Sequence, residues 1–550
     1  MKRLFPILLL LCLLLTACTP VKTPTEPSTT AQPTTEAPTE PEGTTAPTET
    51  EPVQLGVWVD FSQYTPPTPL ETKYTRLSEG PLNDLEPTDS PTRIFPFPGS
   101  PLMEEYSGLQ IYNSRFKYGI IDETGCILAD PVYNSVYLLS GEDTREYLPY
   151  WILEKLSYKT VVNDDYEYMD SDSLCAFASI DGTFVSDCVY EVITAYEDRI
   201  LAFYPTEEEE PLRFDVYDLD HNILFSSHSL SFRDKLGGGP YHYTYAEGLY
   251  TVPFESRTYA PEGYYTVEYS HYYMDEEGTL VLGPYYDASP FSHGKAAVRL
   301  TEDGNYVFID KNGTVLSREY SSYTFLPNGN VIVPEEGNVN DHHEILDENL
   351  EYINFLPGYS FPTDDGNIEV YDSFNNEYCY TQDGEQLWCR ANARFRSSNY
   401  CEYDTEKGSF IEHIPTGKTY ALSEYSHCEI IGTPNEPVII VNTYNDGGGF
   451  SRTYLNAELQ ELDVAVDTHI YMSCYEIGHR HCSALGLPNN DGITVYKNSH
   501  SPFATYPVKD CRMADLYLGQ FASLTTTECT YLYSPDGELL FAYPISPMDD

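Results

Sequence analysis

The stretch Tyr272 to Leu316 reads YYMDEEGTLVLGPYYDASPFSHGKAAVRLTEDGNYVFIDKNGTVL, and it holds one pattern twice. In each copy apolar or aromatic residues lead to an Asp, two polar residues and a Gly: Asp275 to Gly278, then Asp310 to Gly313. A β-branched or Leu-rich run follows. An Asp-x-x-Gly turn between two such runs is hairpin chemistry, because the Asp caps its own turn and the Gly takes the positive φ that ends it.

Outward from this core the pattern recurs. YGIIDETGCILADPVYNSVYLL (118–139), FASIDGTFVSDCVYEVI (177–193) and FDVYDLDHNILF (214–225) precede it. HEILDENLEYI (343–353), EYCYTQDGEQL (377–387), FIEHIPTGKTY (410–420), RTYLNAELQEL (452–462) and YLYSPDGELLF (531–541) follow. The turns begin at Asp122, Asp181, Asp218, Asp275, Asp310, Asp347, Thr381, Ile414, Asn456 and Ser534. Gaps near 35 residues mark a repeat architecture; the gaps of 59 and 57 read as insertions, and the last, 78, as two periods. Frequent turn signals, 50 Tyr and no long 3.6-residue periodicity make the units β.

These residues resemble the bacterial WG-repeat family, in which Trp-Gly-x-Ile-Asp-x-x-Gly leads to an apolar run, Tyr-Asp, then Phe-Ser-x-Gly-x-Ala-x-Val. Here Lys117-Tyr118-Gly119 stands at the Trp-Gly position, and Trp-Gly itself occurs nowhere. Asp122, Gly125, Tyr133, Asp310, Gly313 and the Phe291 to Val298 run match as written, and the likeness is best over 118–320. The resemblance implies repeated β units and a surface or secreted location; it implies no single activity and no catalytic residues. The expected fold is all-β, a series of tandem antiparallel hairpin repeats assembled like a β-propeller, with a capped β-solenoid as the alternative, since repeated sheets must close or cap their edges.

Four segments are expected. Residues 1–18 read as a lipoprotein signal peptide: Lys2 and Arg3, an apolar run from Leu4 to Leu15, then Leu15-Thr16-Ala17-Cys18, which resembles a lipobox with Cys18 as the lipidated residue. Residues 19–53 hold 12 Thr, 8 Pro and 6 Glu and nothing aromatic, the composition of a disordered linker. Residues 54–105 read as an irregular opening segment, and 106–550 as the repeat domain. The expected location is therefore the extracytoplasmic face of a bacterial cell membrane, with the membrane a partner through the Cys18 lipid.

A net charge of −56 repels nucleic acid and anionic headgroups, so nucleic acid is rejected as a partner. Leaving aside Cys12 and Cys18, 11 Cys remain, and Cys379 with Cys389 or Cys175 with Cys188 lie at spacings a hairpin could bridge. CYEIGHRHC (474–482) carries zinc-type residues, but its spacing is wrong and it reads as a loop. Asp218-x-Asp220-x-Asn222 opens like a Ca²⁺ loop, but Ile223 and Ser229 stand where Gly and Glu are needed, so it reads as the repeat's own turn. Glu207 to Glu210 reads as a solvated loop. No nucleophile elbow, His-Glu-x-x-His or phosphate loop is present, and no metal or cofactor is expected.

The remaining functional signal is aromatic. Tyr241, Tyr243, Tyr245, Tyr264, Tyr265, Tyr269, Tyr272 and Tyr273 form the densest cluster, able to stack on sugars or anchor a peptide, or else to fill a sheet core. The expected function is a non-catalytic, lipid-anchored surface scaffold that binds a cell-wall glycan or a surface protein. The alternative from another class is an extracytoplasmic hydrolase acting on glycan or peptide.

Overall fold

The computed structural model describes residues 75–76 and 84–544, apart from 107–108, 143–145, 163–166, 207–209, 260–264, 336–341, 364, 424, 434, 445–449, 463–468, 479–481 and 528. The signal, the Cys18 and the linker expectations lie outside the described residues.

Among the described residues the chain is all-β, broken only by three single-turn 3₁₀ segments between 227 and 242. Its strands make ten sheets, nearly all antiparallel meanders of three or four strands taken in chain order. The last sheet has eight strands and consists of two meanders, 470–506 and 513–544, joined where Ile470–Tyr475 pairs parallel with Met513–Tyr517. The first holds the short strand Thr75–Arg76, paired parallel with Cys126 and Ile127, and then Ile94–Tyr106, which pairs with Leu109–Asp122. The strands of the repeat body therefore start ahead of residue 106.

The Asp-x-x-Gly signal, where it occurs, marks one fixed place in a repeat, its last hairpin. In the first, Asp122 Oδ1 accepts the amides of Thr124 (2.9 Å) and Cys126 (2.8 Å), while Gly125 takes φ 85° and donates to the Asp122 carbonyl. Asp310 does the same for Asn312 and Thr314, with Gly313 at φ 79°. Where Gly is missing, another residue bears the left-handed conformation: His221 after Asp218, Leu350 after Asp347, Leu459 after Asn456. The Asp218 carboxylate is thus spent on its own turn, accepting the amides of Asp220 and Asn222. The turn expected at Ile414 starts one residue earlier, at His413, whose carbonyl accepts the Gly417 amide. The 78-residue gap is also explained, for the 470–506 meander closes its last hairpin without the motif.

The inner strands of the sheets are buried on both faces, which explains why they read as continuous apolar runs. In Lys295–Arg299, Ala296 and Val298 pack backward on the 244–285 sheet while Ala297 packs forward on the 324–356 sheet. In Val331–Pro334 the two valines share that forward core and Ile332 enters the next one. The period-2 alternation of side chains thus stitches each sheet to its two neighbours. The series returns to its start: one core joins Ile94, Phe95, Phe97 and Trp151 to Tyr517, Phe521 and Phe541. Phe95 lies 4.5 Å from Phe521 and Phe97 4.9 Å from Phe541, and Thr530 Oγ1 donates to the Pro98 carbonyl (2.8 Å). Meander sheets stacked face to face, with the last seated on the first, make a β-propeller-like fold.

Candidate functional site: a tyrosine-lined cavity at the parallel strand pair

The parallel pairing of Ile470–Tyr475 with Met513–Tyr517 sets Ser473 opposite Asp515 and Tyr475 opposite Tyr517. Alternation puts these four on one face, with Tyr471 beside them. The Tyr475 and Tyr517 rings stack (5.8 Å between centroids, 25°), and Tyr147 meets Tyr475 nearly edge-on (5.6 Å, 61°). Trp151 backs both, 6.2 Å from Tyr475 and 5.7 Å from Tyr517. In front of this wall is a cavity of about 290 Å³, lined by Tyr147, Ile431, Tyr471, Met472, Ser473, Cys474, Tyr475 and Ala484.

Asp515 stands directly behind the Ser473 part of the lining. Burial pushes its carboxyl up to about 6, against the lowering effect of hydrogen bonds from Ser473 and Tyr517. The Tyr517 hydroxyl donates to Asp515 Oδ2 at 3.3 Å, and burial raises the Tyr475 and Tyr517 hydroxyls, so both stay neutral donors.

At the other end a polar network faces solvent. Tyr471 donates to Glu429, which also accepts Asn442 Nδ2 (2.8 Å) and lies 3.4 Å from His427 Nε2. Arg452 Nε donates to Asn442 Oδ1 (3.0 Å), and His469 lies edge-on to Tyr471 at 4.4 Å. Burial acts to raise Glu429, but the hydrogen bonds from Tyr471 and His427 outweigh it and hold the carboxyl below its ordinary range. Tyr471 and Tyr444 remain more than half exposed. Convergent polar groups and aromatic rings around a concavity are the usual make-up of a binding site.

The cluster expected from the sequence is taken apart by the structure. Tyr243, Tyr245 and Tyr273 are buried and donate inward, to the Gly237 carbonyl (3.0 Å), Glu276 (2.7 Å) and the Ser289 carbonyl (2.7 Å). They are sheet core and present no stacking face. Tyr272 is half-buried against Phe254 (4.3 Å) and Tyr269 lies along His242 (5.8 Å). Tyr241 is exposed; Tyr265 pairs with Tyr259 in the ladder; Tyr264 lies outside the described residues.

The segment at 474–482 does supply the cavity, through Cys474 and Tyr475. Cys474 is disulfide-bonded, and its direct neighbour across the antiparallel ladder is Cys482; His479 and His481 lie outside the described residues. The two bridges that spacing allowed are absent, since Cys175, Cys188, Cys379 and Cys389 are free thiols. Cys379 and Cys389 are opposed instead by Trp388 and Tyr378. Sequence reasoning missed Asp515, because nothing local in MADLY marks a carboxylate brought beside residue 473 by a parallel pairing.

Comparison with known proteins bears out the repeat. The family described as "WG containing repeat" matches residues 273–306, which span the end of one sheet and most of the next. No curated protein matches the chain. Among solved structures it is similar to AztD from Citrobacter koseri, at 11% identity over 68% of this chain and 94% of that one, with a TM-score of 0.26. BamB from Moraxella catarrhalis aligns at 13% identity over 44% of this chain and 77% of that one, TM-score 0.20. The C-terminal WD40 domain of Sif2 aligns at 8% over 60% and 89%, TM-score 0.22.

Proposed function

We propose that this chain, which carries a WG-containing repeat within a series of two-faced sheets, is a non-catalytic binding scaffold. The observation that carries the reading is the cavity beside Ser473, where rings from several strands converge with Glu429, Asn442 and Asp515. The scaffold reading extends to place: a lipid on Cys18 anchors the chain to the outer face of a bacterial membrane, the Thr-Pro-Glu linker holds the folded body away from it, and a wall glycan or surface protein is the partner. Its support is the Leu-Thr-Ala-Cys motif and the linker composition. Labelling with a lipid precursor tests the anchor, with incorporation expected in the parent and lost in Cys18→Ala. Capture of wall fractions and surface proteins on the full chain tests the scaffold: a specific partner is expected, released by Tyr471→Ala.

The hydrolase reading draws on one observation, the Asp515 carboxyl raised to about 6, which suits a general acid. Turnover of a wall polymer that Asp515→Asn abolishes would replace the binding reading.

A further inference from the structure

The scaffold reading leaves open what the cavity holds, and its chemistry narrows the choice. None of the eight lining residues is charged, and two carboxylates, Asp515 and Glu429, bond the lining residues Ser473 and Tyr471. The nearby cations are already engaged: Arg452 bonds Asn442, and Lys497 pairs with Glu476 at 3.0 Å and donates to the Gly519 carbonyl. Among the described residues an anionic ligand would meet these two carboxylates, with Arg452 and Lys497 already engaged. The excess of 86 acidic over 30 basic side chains adds a long-range field of the same sign.

Shape separates the remaining candidates. A sugar ring stacks on one flat, open aromatic face. Here Tyr147 and Tyr475 meet at 61° and form a corner, and the face of Tyr475 is partly taken by Tyr517. A corner of π faces with a carboxylate behind it matches a compact cation, whose charge is attracted to every ring face at once. About 290 Å³ is room enough for such a group with a short stem.

We propose that this cavity binds an alkylammonium group, with Tyr147, Tyr471 and Tyr475 as its aromatic walls and Asp515 as its counter-charge. The inference rests on the scaffold reading but can fail without it, because a protein or glycan partner could still dock elsewhere on the sheets.

The test is a titration of the full chain with tetramethylammonium chloride against its neutral near-isostere tert-butanol, at constant ionic strength and pH 7.5, read by calorimetry. Saturable binding of the cation, with the alcohol at least tenfold weaker, is expected. Asp515→Asn should weaken the cation at least tenfold with its melting temperature kept, and Tyr147→Leu should weaken it as a second, independent variant. Choline and Nα-acetyl-lysinamide, titrated in parallel, tell a quaternary headgroup from a lysine side chain. Equal binding of cation and alcohol, binding of methyl glucoside indifferent to Asp515→Asn, or no cation binding by folded protein would each overturn the proposal. If capture of a surface partner persists in the last case, the scaffold reading stands without it.

Discussion

Ser473 and Asp515 face each other across two parallel strands and are hydrogen-bonded, so a hydroxyl from one meander sets the proton affinity of a carboxyl in the next. The hydrogen bond favours the ionised form while burial favours the neutral one. Ser473→Ala should therefore move the Asp515 pKa further above 6, by roughly half to one unit for the loss of a bond worth about 1 kcal/mol. Carbon-detected NMR titration of the Asp carboxyl measures it. An unchanged or lower value would show that Ser473 does not bond the carboxylate.

Glu377 is a second displaced carboxyl. Burial, then the negative charges of Glu369 and Asp372, push it up to about 7. A carboxyl with a raised folded pKa contributes stability that is full below the ordinary Glu value and is lost as pH rises through about 7. Glu377→Gln should thus gain on the parent between pH 5 and pH 8, by about 1–2 kcal/mol after allowance for solvent screening. Urea unfolding at the two pH values decides; a parallel pH dependence in parent and variant refutes it.

The repeated turn predicts graded costs. Asp122 is buried and accepts two amides and the Thr124 hydroxyl, so Asp122→Ala should cost about 2 kcal/mol. Gly125→Ala, at φ 85°, should cost about 1 kcal/mol. The equivalent Asp310→Ala, in an exposed turn, should cost less than Asp122→Ala in the same denaturant series.

Trp151 is fully buried where the first and last sheets meet, and its Nε1 donates to the Ile94 carbonyl at 2.9 Å. Trp151→Phe keeps an aromatic ring but leaves that carbonyl without its donor, at a cost of roughly 1–3 kcal/mol. The loss should be global, with one shared unfolding midpoint by fluorescence and by circular dichroism. Separate midpoints would mean that this core does not unite the sheets.

Cys474 fixes the cavity wall by a covalent bond. Reduction, or Cys474→Ser, should lower stability by about 2–4 kcal/mol and weaken binding in the cavity more than Cys175→Ser, which removes only a free thiol. Thermal melts with and without reductant check the first, calorimetry the second.

The fold was largely legible because its signals are local. An Asp capping the amides two and four residues on, and a Gly at positive φ, are properties of five consecutive residues, so Asp122 and Asp310 announced their hairpins. Asp372, whose turn uses Asn375 at φ 60°, escaped because Ser and Phe mask the pattern. The site was much less legible. Tyr245 and Tyr471 are the same residue type, each on a strand, yet one is core and the other half open. The difference lies in which neighbouring sheet covers each face, and no residue near either tyrosine records that. Asp515 meets Ser473 only because two strands some forty residues apart run side by side.

The joining of the last sheet to the first also constrains how the protein is made. A chain emerging from its N-terminus presents Phe95, Phe97 and Trp151 long before Tyr517, Phe521 and Phe541 are synthesised to cover them. Until then the leading sheet carries a bare aromatic face, the kind of surface that draws chaperones or promotes aggregation. Completion of this core thus waits until the 513–544 meander has been made. A stop codon just after Tyr517 would remove Phe521 and Phe541 and leave much of this early face uncovered, and such a chain is expected to be cleared rather than to persist as a shortened protein.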